Sequence, residues 1–155
     1  MTIAINIHRV LRTFFDQEWA ASEKLQEINK FVGFGVSNGV ADDEAIQNEN
    51  GFPRFDAMVT SVDMEKVKMG EGVATLTLSL IDSPSNTPES FNEYTEKIWE
   101  SLAKIDLRGE MFREQGAYVI ARGNWSMTNT ILENGYRNVT WTLPLTVKEE
   151  LISQC

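Results

Sequence analysis

The sequence predicts an α+β domain, an antiparallel β-sheet with helices packed on one face, in the order α-β-β-α-β-β. Three patterns predict it. Residues 4–31 repeat apolar side chains at helical spacing, Gly72–Ile81 alternates apolar residues with Thr and Ser, and Asn134-Gly135 separates two more strand-like runs. With 155 residues, the chain fits one domain spanning 1–155, which buries roughly 70% of its unfolded surface.

The first helix rests on Ile7, Val10, Leu11, Phe14, Phe15 and Glu18, a stripe that continues through Leu25 and Ile28. Arg9, Arg12, Asp16 and Glu23 fall off the stripe and stay in water. A break is expected around Trp19–Ser22. Periodicity then stops, and residues 33–52 read as an irregular acidic loop, with Gly33, Gly35, Gly39 and Gly51 among Asp42, Asp43, Glu44 and Glu49.

Phe55–Asp63 reads as a strand without clean alternation, followed by a turn or bulge through Lys66–Gly72. In Gly72–Ile81, Ala74, Leu76, Leu78 and Leu80 point one way and Val73, Thr75, Thr77 and Ser79 the other. Thr87-Pro88 starts a helix, a hydroxyl at the N-cap and Pro in the first turn. Phe91, Tyr94, Ile98, Leu102 and Ile105 line one face of it, and Glu93 and Lys97 are spaced as an i,i+4 ion pair.

Tyr118–Ile131 and Tyr136–Val147 form the last hairpin, with Asn134-Gly135 predicting a type I′ turn. Pro144 has no N–H to donate, so it places its strand at an edge or beside a bulge.

Composition excludes several chemistries. One His and one Cys cannot build a Cys/His zinc site or an intramolecular disulfide. Lys and Arg number 14 against 23 Asp and Glu, a net charge of −9, which does not suit binding to phosphate backbones. No apolar run approaches the ~20 residues of a membrane span, and Met1–Ile7 lacks the basic start of a secretory leader. A soluble protein assembled in a cytoplasm is expected, with Cys155 as a free thiol.

Gly35-Val36-Ser37-Asn38-Gly39 matches the G-x-S-x-G nucleophile turn, but His8 precedes the serine and no parallel βαβ pattern surrounds it. Gly33, Gly35 and Gly39 are spaced one residue too long for a dinucleotide fingerprint. Asp42-Asp43-Glu44 lacks the spacing and the glycine of a calcium loop. His8 is expected as a surface or interface side chain, and Trp99, Trp125 and Trp141 as core or interface packing. These readings predict no enzyme, catalytic residue, metal or cofactor.

The run from Phe55 to Val147 resembles the tail terminator (tail completion) family of long-tailed bacteriophages. The resemblance lies in the strand FDAMVTSVD, the turn KVKMGEG, the strand ATLTLSLID, the helix FNEYTEKIWESLAKI and the final strand YRNVTWTLPLTV after its Asn-Gly turn. The long 33–51 segment and Pro144 depart from the pattern.

The resemblance implies a structural virion protein. It would form a six-fold ring of its own copies, cap the tail tube, stop tube growth and meet the head–tail connector protein. DNA would pass through the lumen without specific binding, past an acidic wall that repels its phosphates. Glu65, Lys66, Lys68 and Glu71 are then expected at a contact with a neighbouring subunit or the tube. Two other readings share the residues: a tail tube subunit or another connector protein, and a small cellular hydrolase or ligand-binding domain using Ser37.

Overall fold

The computed structural model describes residues 2–33, 51–63, 71–105 and 118–148. Helix α1 spans Thr2–Ala21 and α2 Glu23–Gln26. Strands β1 (Asn29–Val32), β2 (Arg54–Asp63) and β3 (Glu71–Asp82) follow, then helix α3 (Pro88–Leu102). Strands β4 (Tyr118–Arg122), β5 (Ser126–Ile131) and β6 (Arg137–Lys148) complete the described elements.

The fold class is α+β. Six strands form one sheet in the order β1-β2-β3-β6-β4, with β5 also paired to β6. All pairings are antiparallel except β1 with β2. Both long helices bury their stripes against one sheet face. Ile7, Val10, Leu11 and Phe15 from α1 and Phe91, Tyr94, Ile98 and Leu102 from α3 share a cluster with Phe55, Leu76, Leu78, Trp141 and Leu143. Each large apolar side chain fully withdrawn from water contributes about 1.5–3 kcal/mol. Phe15 anchors the α1 side, with its ring edge-on to Phe55 at 5.2 Å and to Trp19 at 5.8 Å.

Several expectations need correction. The stretch predicted as helix to residue 31 ends sooner. Ser22 caps α2 by accepting the Leu25 N–H, and Asn29–Val32 is a strand parallel to β2. Ile28, Phe31 and Val32 keep helical spacing, but pairing with Arg54–Ala57 overrides it.

The uneven alternation of β2 also has a local cause. Its register with β3 shifts between Val59 and Ser61, so Phe55, Ala57 and Val59 face the helices, and Val62 returns to that face after the bulge.

The strand expected over Tyr118–Ile131 is two strands, interrupted at 123–125. Pro144 explains the interruption. Gly123 donates its N–H to the Pro144 carbonyl at 2.8 Å, so the nitrogen of Pro144, on the same side of β6, has no hydrogen to return. The ladder fails on that side only, and β6 is otherwise an interior strand.

The last turn holds three residues rather than two. Leu132 donates to the Tyr136 carbonyl and Gly135 to the Leu132 carbonyl, with Gly135 at φ +86°. One left-handed glycine suffices here, because the Asn134 side chain accepts the Tyr136 N–H.

On α3, Thr87 caps Ser90 as expected. Glu93, however, pairs with Lys24 of α2 at 2.8 Å, while Lys97 reaches Glu100. Lys24 is held there by the face of Tyr94, 4.7 Å from its ring centre.

Candidate functional site

Three places on the described structure concentrate polar or exposed apolar groups. The first is the sheet face away from the helices. Register places Thr77, Thr142 and Ser126 in one row across β3, β6 and β5, and Ser79, Thr140 and Thr128 in the next. Asn138 and Thr130 stand beyond, and Ser79 bonds to Asn138 at 2.8 Å. Within β3, β6 and β5 these rows carry hydroxyls and an amide, and on β2 they run into the Arg54–Asp56 pair, opposite Ile81 and Ser79. They arise because the strands alternate, with Leu76, Leu78, Trp141 and Leu143 filling the helix side.

The second is the rim where α3 passes β5. All six β5 residues are exposed. Met127 and Ile131 show 51% and 74% of their surface and Trp99 shows 44%. Trp99 and Trp125 meet edge-on at 6.3 Å and, with Met127, Thr95 and Glu96, line a groove of about 390 Å³. A second hollow, of about 400 Å³, opens further along between Phe91, Asn129, Ile131 and Arg137. Trp141 is wholly buried, so of Trp99, Trp125 and Trp141 only the first two reach this rim.

The third is a set of buried ionisable groups. His8 is buried within the fold, where a surface or interface position was expected. Its stripe turns it onto β2, and its Nε2 accepts the Val59 N–H at 2.8 Å. β1 ends its pairing at Val32–Ala57, so the histidine takes over the β2 edge where β1 stops. Burial, helped by the Arg12 charge, depresses its pKa below 6.5. With its lone pair engaged, His8 is a structural acceptor.

Asp56 lies on the open face near the other side of β2, 3.1 Å from Arg54 Nε. Burial raises its carboxyl to about 6, against the opposing pull of Arg54. Arg54 itself stacks on Phe31, 4.3 Å from the ring centre. Asp82 accepts from the Ser83 N–H and the Asn86 amide and shapes the turn into α3. Its pKa is raised, chiefly by burial.

Of the expected contact residues, Glu65, Lys66 and Lys68 lie outside the described residues, and Glu71 opens β3 opposite Lys148. Ser37, the 35–39 motif and the acidic run 42–44 also lie outside them. Among the described residues no three His, Cys, Asp or Glu side chains gather as a metal site requires. None of the described helices is long and apolar enough to cross a membrane.

The rim of α3 and β5 escaped the sequence reading. The alternation of Met127, Asn129 and Ile131 is visible in the sequence. What leaves them bare is the placement of α3, which no local pattern encodes. No protein-family model matches the chain, and no curated protein matches it.

Proposed function

We propose that this chain is a structural assembly subunit of a phage tail, a ring-forming terminator that caps the tail tube and joins it to the head connector. The observation that carries this reading is the hydroxyl-rich face of β3, β6 and β5, backed behind β3 and β6 by the core. Such a face can wall a channel for DNA. Tight phosphate binding needs Lys and Arg to release counterions, and these rows supply only Arg54, which pairs with Asp56. On this reading the chain's net charge of −9 acts on the lumen as a field that repels phosphates.

A ring follows from a heterologous contact repeated around a closed rotation. Glu65, Lys66, Lys68 and Glu71 remain the proposed contact with a neighbour or the tube. DNA slides through without a specific site, and the tube protein and the head connector are the partners.

The test is tube growth in vitro. Tail tube protein polymerising in the presence of this chain should give tubes whose mean length falls as the chain is added. Unchanged tube length at every ratio would remove the terminator reading, and tubes made by this chain alone would make it a tube subunit.

A further inference from the structure

Among the described strands β1, β4 and β5 are edges, and β1 and β5 are treated differently. At β1 the edge is only four residues long, carries Lys30, which pairs with Asp16, and has the Val32 carbonyl taken by Arg12 at 3.0 Å. Short length, a charge and a capped carbonyl are the usual protections against strand addition. β5 has none of them. It is six exposed residues, Ser-Met-Thr-Asn-Thr-Ile, without charge or proline.

Its free backbone groups can be identified. Leu132 donates to Tyr136, so Leu132 faces β6, and so do Thr130, Thr128 and Ser126 at alternate positions. The N–H and C=O groups of Met127, Asn129 and Ile131 therefore point away from the sheet.

We propose that this edge pairs with β5 of a second copy, antiparallel, about a two-fold axis at Asn129. In that register Asn129 meets Asn129, and Met127 meets Ile131 twice, so every outward backbone group enters a hydrogen-bonded pair. Thr128 meets Thr130 on the hydroxyl face. The strand is compatible with its own copy: no charge on β5 opposes itself, and the two-fold register sets each exposed apolar side chain of one copy against the hollow beside the other.

The surroundings fit as well. The Ile131 side chain of the second copy arrives beside Met127, at the mouth of the Trp99–Trp125 groove. Met127 of the second copy arrives beside Ile131, at the other hollow. Each exposed apolar side chain thereby meets an empty apolar space. The contact is isologous, and so separate from the head-to-tail contacts that would close a ring.

Asn129→Pro removes one outward N–H and leaves the β6 ladder intact, since proline is tolerated where its nitrogen faces away from the sheet. In sedimentation equilibrium the variant should have half the wild-type mass, and its melting temperature should lose the concentration dependence that pairing gives the wild type. A second readout does not depend on tolerance of proline. In a Cys155→Ser background, Asn129→Cys should form a disulfide-linked dimer on oxidation, because paired Cα atoms lie at about 5.5 Å. Ile131→Cys should not, because its twin would lie four residues away along the strand. Raising the salt should strengthen the pairing by screening the net charge of each copy. Wild-type mass retained by Asn129→Pro, or cross-linking through Ile131→Cys but not Asn129→Cys, would overturn the proposal.

Discussion

His8 is the residue on which α1 and the sheet agree. Its imidazole replaces a strand partner for Val59, so His8→Leu keeps the volume of the contact and abandons a buried N–H. The expected loss is about 1–3 kcal/mol at neutral pH in chemical denaturation. The folded pKa is depressed, so the stability linked to neutral His8 is complete above pH 6.5 and is lost as pH falls through the lower folded value. The gap between His8→Leu and wild type should therefore narrow in acid. A gap that stayed constant would show that the histidine is not neutral in the fold.

Asp56 has the opposite sign. Its carboxyl is raised from 3.8 to about 6, so the folded state holds the proton more tightly than the unfolded chain. That contribution is complete below pH 3.8 and disappears as pH rises through about 6, a change of about 3 kcal/mol. Asp56→Asn keeps a neutral polar group, so its stability relative to wild type should climb across that window. Parallel stability curves would contradict the assignment.

At the scale of elements, Pro144 and Gly123 form one device. A Cβ on Gly123 would stand 2.6 Å from Pro144 Cγ and 3.3 Å from its Cδ, and a proline ring cannot swing aside. Gly123→Ala should cost about 1–3 kcal/mol by crowding alone. Adding Pro144→Ala removes the ring, so the double variant should be more stable than the sum of the two single changes implies, measured as a double-mutant cycle. Additive losses would place the interruption of β4 and β5 elsewhere.

Much at this scale was legible. The N-cap Thr87 with Pro88, the alternation of β3 and the helical stripe of α1 are local patterns, and each fixes one face of one element. β1 was not legible. Asn29–Val32 stays in phase with the preceding helix, and only the parallel partner Arg54–Ala57 turns it into a strand. Pro144 announced a disturbance, but its sequence neighbours could not say that the disturbance falls on the facing strand rather than on its own.

For the whole molecule, one face is closed by helices and the other carries ordered hydroxyls, a division legible from the Thr and Ser alternation of β3 and β6. The exposed rim of Trp99, Met127 and Ile131 depends on where α3 stops covering the sheet, which is a tertiary fact. The proposed function rests on how copies of this molecule assemble with each other and with a tail tube, and imaging addresses that directly. Negative-stain electron microscopy of the purified chain, alone and mixed with a phage tail tube protein, is the decisive measurement. The expected result is rings, or tubes of limited length closed by a ring at one end. Particles that never form rings and never touch the tubes would contradict the assembly role.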